Sequence, residues 1–190
     1  MRGLTIQDAV RAMGSNLMGR LPLTIEGGFP LLAKYLDASE NLSVQVHPSE
    51  AYARTHADAH LKTESWYIVS AAPDAVIYRG VKPGVTRESF ARAIADGTVA
   101  DLLVAVPVHA GDVHHLPSGT VHALGAGVLV AEVQTPSDTT FRVFDWGRQG
   151  RRLHVEPALA CIDFVPGNAA PVRSDGSARC VLVTTPFYEL

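Results

Sequence analysis

Cysteine is scarce in this chain: Cys161 and Cys180 are the only two in 190 residues. Two thiols with no CxxC pair are too few for a disulfide framework, so the expected setting is reducing and cytoplasmic. Charge is also sparse. Charged residues make up 18 % and the formal net charge is −3, which excludes a broad electrostatic footprint for nucleic acid. A small basic pocket for a single phosphate stays open, because net charge says nothing about local clusters. No apolar run approaches the ~20 residues that span a bilayer, so no membrane partner is expected. Met1-Arg2-Gly3 leads into an amphipathic pattern and not into an apolar h-region, so no signal peptide is expected. No internal repeat stands out. These absences exclude collagen, coiled coil, repeat array and membrane span.

What is present is 47 % apolar residues, enough for one real core at this length. Residues 5–18 read as a helix, with Thr5 and Asp8 as a capping-box start and Ile6, Val10, Met13 and Leu17 at helical spacing. Punctuation by Gly27, Gly28 and Pro30 makes residues 1–28 a helical appendage. From Phe29 the texture changes. Leu31 to Leu36 reads as a buried strand, and Leu42 to His47 alternates strictly, with Ser43, Gln45 and His47 on one face. Strands are also expected over 62–69, 75–79, 113–117, 120–124, 127–134 and 139–145. Helices are expected over 50–57, capped by Ser49, over 86–96 between Thr86 and Gly97, and in a short piece at 98–105. Many short strands broken by Gly and Pro mean an all-β sandwich or barrel with a few short helical insertions. The barrel is placed at 29–165. A sparser stretch from Val155 to Phe164 is followed by a Pro/Gly/Ser-rich link and a last strand over 178–184. Residues 166–190 belong either to the same domain or to a truncated second one.

The sharpest local signal is Gly111-Asp-Val-His-His-Leu-Pro117-Ser-Gly119-Thr-Val-His122. A glycine turn starts a strand, the Pro-x-Gly bend turns the corner, and the next strand presents a histidine inward. This resembles the second conserved motif of the cupin superfamily, small jelly-roll barrels. Ala126 stands where those proteins usually carry a later asparagine. Gln45 and His47, at i and i+2, can point at one ion, and Lys62 and Glu64 repeat the spacing on the next strand. Taken alone, an inward histidine on a strand is an ordinary core or surface residue, and Ser43/Gln45/His47 an ordinary wet sheet face. With the barrel motif, Gln45, His47, Glu64 and His122 form a candidate metal set. Four N/O ligands without thiolate suit zinc, and also manganese, iron or cobalt.

The wider context is narrower than the superfamily. Leu42-Ser-Val-Gln-Val-His-Pro48, Lys62-Thr-Glu-Ser-Trp-Tyr-Ile68, Gly111 to Ala123, and Glu132-Val-Gln-Thr-Pro-Ser-Asp-Thr-Thr-Phe-Arg142-Val-Phe-Asp145-Trp follow one another in order. Together they resemble the type I mannose-6-phosphate isomerases from about Phe29 to Asp163. The resemblance implies zinc on Gln45, His47, Glu64 and His122, an active-site arginine at Arg142, a pocket lysine at Lys62 and a pocket serine at Ser43. Glu132, inward by alternation with Gln134, is a further pocket candidate. Family members are longer at both ends, and the Trp-Gly or Glu-x-Trp pattern that usually opens them is absent before Phe29.

The implied activity interconverts mannose 6-phosphate and fructose 6-phosphate through a cis-enediol, with a small phosphorylated sugar as the partner. A cation and an inward arginine suit the charge that develops on O1 and O2. Lys62 is expected to anchor substrate or carry a proton. A non-catalytic metallocupin that binds a sugar or sugar phosphate is the alternative. An iron-dependent cupin oxygenase fits less well, since Lys62 and Arg142 suit an anionic sugar. Trp66 and Tyr67 are expected as core or pocket wall, His56 and His60 at the surface, and both cysteines as buried thiols. One of His114 and His115 must face in. Asp145 is expected to orient Arg142 or close a turn. Exposed sheet edges leave room for a homodimer.

Overall fold

A computed structural model describes residues 3–24, 27–177 and 179–190; the expectations touching Met1, Arg2, Ile25, Glu26 and Ala178 lie outside them. The N-terminal appendage is two helices and not one. The Thr5–Asp8 capping box starts α1 (Ile6–Met13), but Gly14 at φ 48° ends it, and α2 (Ser15–Met18) follows. Glycine tolerates that positive φ where other residues do not.

Among the described residues, nine strands then alternate with short helices. They are β1 (Leu32–Ala38), β2 (Val44–Val46), β3 (Glu64–Ala71), β4 (Val76–Val81), β5 (Leu103–Pro107), β6 (Val113–Leu116), β7 (His122–Leu124), β8 (Val128–Gln134) and β9 (Phe141–Phe144). All named pairs are antiparallel. One sheet runs β1-β8-β3-β6 and the other β5-β4-β7-β2-β9. The non-sequential order of two antiparallel sheets is the jelly-roll architecture expected from the sequence.

Alternation along the strands divides the core in two. Between the sheets, Trp66, Ile68, Ile77, Leu116, Leu124, Val128 and Val130 fill one end of the barrel. On the outer face of the five-stranded sheet, Val44, Val46, Ala123 and Val143 are covered by Phe90, Ala93 and Ile94 of α4 (Arg87–Asp96) and by Ala158 and Leu159 of α5 (Val155–Cys161). The helices are therefore cladding, and they free the other end of the barrel interior for polar groups.

Several local expectations change. β1 is half-exposed and not buried, with Tyr35 75 % exposed, because it is an edge strand with one neighbour. The helix placed at 50–57 shortens to α3 (Glu50–Ala53), capped by Ser49 as expected. The helical piece placed at 98–105 is a 3-10 turn at Val99–Leu102 that runs straight into β5. No strand forms among the described residues of 178–184. Thr184 makes an isolated bridge with Glu189 instead. Tyr188 lies 3.0 Å from the Ser65 hydroxyl, and upstream Val172 bridges Val113. Cys161 is buried, but Cys180 is partly exposed, because the 166–190 segment lies on the surface.

Candidate metal centre

Strand register builds the site. Across the five-stranded sheet, Arg79, His122, Gln45 and Arg142 form one continuous rung. Across the facing sheet, two successive inward rungs run Leu32–Gln134–Glu64–Leu116 and Lys34–Glu132–Trp66–His114. Paired residues on antiparallel strands share a face, so these rungs look at each other across the barrel. The β2–β9 register shifts between Val44 and Gln45, a bulge beside the site.

His47, Glu64 and His122 converge there, each buried to 1 % exposure or less, with their ligand atoms within 4.8 Å of one another. Glu64 Oε2 lies 3.3 Å from His47 Nε2 and Oε1 lies 3.1 Å from His122 Nε2. Each ring is oriented from behind. His47 Nδ1 sits 3.1 Å from the Thr139 carbonyl, and His122 Nδ1 2.8 Å from the Thr120 carbonyl. A carbonyl can only accept, so each Nδ1 carries the proton and each Nε2 points a lone pair inward.

The Pro117–Thr120 turn makes this possible. Gly119, at φ +88°, donates its N–H to the His47 carbonyl, and a Cβ there would meet the Cys161 carbonyl at 3.0 Å. The same turn borders a cavity of about 290 Å³ lined by Arg79, Ser118, Thr120 and Asp163, which does not include the His47–Glu64–His122 cluster.

The electrostatics favour a cation. Burial pushes His47 down to about 4 despite the opposing pull of Glu64, so its ring is neutral at pH 7. Burial works to raise Glu64, but the charge that His122, then His47, would carry when protonated outweighs it and holds the carboxyl well below its ordinary range. Among the described residues, His47 Nε2 and both Glu64 oxygens are buried without a hydrogen bond of acceptable geometry, and the one cation beside them, Lys62, reaches only Glu64 Oε2. Converging acceptors left in that state are costly unless a cation sits among them. The three residues thus fit a divalent ion. Gln45 stands beside them, its side-chain nitrogen 3.4 Å from His122 Nε2, while Ser43 donates to its Oε1 across a long 3.5 Å. Turning the amide over would present oxygen to the centre instead.

The other expected residues surround this cluster. Lys62, 4 % exposed, places Nζ 2.9 Å from Glu64 Oε2. Ser43 is buried at the same end. Glu132 accepts the Trp66 indole N–H at 2.8 Å and lies 2.8 Å from Lys34 Nζ. Arg142 is half-buried; its Nη1 donates to the Arg152 carbonyl, and its buried Nε has no hydrogen-bond partner among the described residues. Asp145 does not orient Arg142. Its carboxylate is taken by Arg148 and Arg151, both within 2.8 Å, because the 145–151 turn folds back on itself.

His114 is the inward member of its pair, fully buried with neither ring nitrogen bonded, and burial with the nearby Arg79 pushes it down to about 4. His115 faces out and meets the Ser65 hydroxyl. Trp66 is a wall of the site, whereas Tyr67 is on the outer face and 40 % exposed. Lys34, Arg79 and Gln134 were not singled out from the sequence. Lys34 and Gln134 follow from alternation once the β1–β8–β3 register is known; Arg79 had no local signal.

Comparison with known proteins bears out the resemblance. The family described as "Phosphomannose isomerase type I, catalytic domain" matches residues 1–72. "Mannose-6-phosphate isomerase" of Streptococcus mutans is 44 % identical over 168 residues, covering 84 % of this chain and 53 % of that protein. "Mannose-6-phosphate isomerase ManA" of Bacillus subtilis is 44 % identical over 141 residues, 71 % of this chain and 44 % of the relative. The crystal structure of the mannose 6-phosphate isomerase from Bacillus subtilis superposes with a TM-score of 0.81 at 30 % identity, over 95 % of this chain and 59 % of that one. The chain therefore spans about half the length of the curated relatives it matches. Among the described residues, no helix is long and apolar enough to cross a membrane.

Proposed function

We propose that this chain, similar as it is to the type I mannose-6-phosphate isomerases, carries their active centre and is a metal-dependent aldose–ketose isomerase acting in the cytoplasm on mannose 6-phosphate and fructose 6-phosphate. The observation that carries the proposal is the buried convergence of His47 Nε2, His122 Nε2 and both Glu64 oxygens, where Lys62 Nζ reaches one carboxylate oxygen and, among the described residues, no hydrogen bond satisfies His47 Nε2. In this reading His47, Glu64, His122 and Gln45 hold zinc, or manganese, iron or cobalt in its place. The ion's contribution is to polarise a substrate oxygen.

The chain's own groups do the rest. Moving a proton between C1 and C2 through a cis-enediol builds charge on O1 and O2. Arg142 enters the same rung as Gln45 and His122, and its unpartnered Nε leaves a donor free for that charge. Lys62 Nζ, fixed by Glu64, and the Ser43 hydroxyl anchor substrate hydroxyls or phosphate. Glu132, oriented by Trp66 and Lys34, lines the pocket. Gln45 and Arg142 are only half-buried, so access runs along their side of the barrel.

One specific observation keeps a second reading alive. Ser43, His47, Lys62, Glu64 and His122 are all 5 % exposed or less, a closed site that would also suit a non-catalytic metallocupin holding a sugar phosphate. Metal analysis of the purified chain, coupled to an assay of fructose 6-phosphate formation before and after chelation, separates the two. The isomerase predicts bound metal and chelator-sensitive turnover. Bound metal without turnover leaves the binding protein, and a fully folded chain without metal affinity overturns both.

A further inference from the structure

Gln134 is fully buried, faces Glu64 across the β8–β3 pair, and has no part in the function proposed above. Its amide nitrogen donates twice, to the carbonyls of Thr135 and Ser137, each at 2.8 Å. Among the described residues it is the only side chain bonded to the Ser137 carbonyl. Ser137 in turn fixes Thr139, whose N–H reaches the Ser137 hydroxyl at 3.3 Å. The Thr139 carbonyl is the acceptor behind His47 Nδ1. A continuous path of hydrogen bonds thus runs from a buried amide on one sheet to an imidazole on the other.

We propose that Gln134 is a positioning residue whose amide clamps the 135–139 turn, so that Thr139 keeps the His47 proton on Nδ1 and its Nε2 lone pair toward Glu64. The proposal deepens the metal reading above and rests on it for its functional meaning. The chemistry selects an amide. Two carbonyls two residues apart need two N–H donors on one planar head, which Gln offers and neither a carboxylate nor a thioether can. The ties from the 60–63 segment, Thr135 N–H to the Thr63 carbonyl and His60 N–H to the Thr139 hydroxyl, hold the ends of the turn. Ser137, in its middle, is also tied by its hydroxyl to the His60 carbonyl at 3.1 Å, but among the described residues Gln134 alone bonds the Ser137 carbonyl. Partners behind a metal-binding imidazole are typically worth about 10–100-fold in metal affinity.

The test compares Gln134→Met, which keeps volume and loses both donors, with the milder Gln134→Asn, one methylene too short to span both carbonyls. Val130→Ala, in the apolar half of the barrel, is the control for lost stability. Two readouts are taken on the full chain: cobalt(II) affinity by absorption titration, and the His47 tautomer by imidazole nitrogen NMR on chelated protein. In Gln134→Met the tautomer is expected to divide between the two nitrogens and cobalt affinity to fall about 10–100-fold. Gln134→Asn is expected to fall between that variant and the parent. Val130→Ala should melt earlier with tautomer and affinity unchanged.

A parental tautomer and parental affinity in either glutamine variant would overturn the proposal, and so would an equal loss of affinity in Val130→Ala. If Gln134→Met does not fold, Gln134→Asn decides. If the parent chain binds no cobalt, the metal reading fails, and the tautomer in the chelated variants still decides for or against the clamp.

Discussion

Glu64 and His122 stand on facing sheets, yet Glu64 Oε1 and His122 Nε2 lie 3.1 Å apart with both side chains at most 1 % exposed. Such a pair is poor evidence for stability by itself, because desolvation opposes the attraction. Its value is in what it can hold. Adding zinc to the chelated chain should raise the melting temperature, by the equivalent of about 2.7 kcal/mol when free metal is a hundred times its dissociation constant. His122→Ala should remove the metal response and keep the barrel's circular dichroism. A zinc-induced shift that survives in His122→Ala would remove this residue from the ligand set.

The polar end of the barrel was legible in the sequence where alternation and fixed spacing act together. Gln45 with His47, Lys62 with Glu64, and His122 at the end of the Gly111-to-His122 hairpin stand in one cluster, buried but for the half-buried Gln45, because a two-residue period puts i and i+2 on one face. What escaped depended on pairing between distant strands. Glu132 and Trp66 were expected in the pocket, but that Lys34 and His114 share their rung follows only from the β1–β8–β3–β6 register, and no local pattern encodes which strand lies beside which. Asp145 takes the second of its two expected roles and closes a turn, but its partners, Arg148 and Arg151, come from a return of the chain that periodicity cannot show. The helix break at Gly14 is a backbone event, invisible to an apolar spacing that continues through it.

Arg142 tests the catalytic half of the proposal. It pairs with Gln45 in register and, among the described residues, makes no hydrogen bond or ion pair to the three converging side chains. Arg142→Lys should therefore retain metal. A point charge does not replace a fork of donors aimed at two oxygens, so turnover should drop by roughly 10²–10³. Metal analysis and steady-state kinetics on the same preparation check both halves. Undiminished turnover would take Arg142 out of the mechanism.

Trp66 links core packing to the pocket. Its indole N–H is the hydrogen-bond donor to Glu132 Oε2, at 2.8 Å, between two buried side chains. Trp66→Phe keeps most of the ring and leaves that oxygen without its donor, at a cost of about 1–3 kcal/mol. Combining it with Glu132→Gln should cost less than the sum of the two single changes, because they act on one bond. Urea denaturation of the four-member cycle measures the difference, and strict additivity would show that the bond contributes nothing.

Tyr188 ties the C-terminal segment to the barrel and gives stability a signature in alkali. Burial, with smaller help from Glu64 and Glu132, pushes its phenol up to about 12 even though the Ser65 hydrogen bond works the other way. The unfolded phenol ionises near 10. Below that pH both states keep the proton and the stabilisation is complete. As pH rises from about 10 toward about 12, the unfolded chain gives up its proton while the folded chain holds on, so stability declines across that window.

Tyr188→Phe removes the titrating group, and Ser65 keeps His115 at 3.0 Å as its remaining partner. The variant should be less stable at neutral pH, where it lacks the hydrogen bond, by about 0.5–1.5 kcal/mol. Its deficit should shrink as the pH passes 10, because the parent alone is losing stability there. Paired urea melts of the two proteins at about pH 8 and about pH 11 isolate this tyrosine from the other four, which titrate alike in both. A deficit that stays constant across the window would mean that Tyr188 is as free to ionise in the folded chain as in the unfolded one, and that the C-terminal segment is not docked on Ser65.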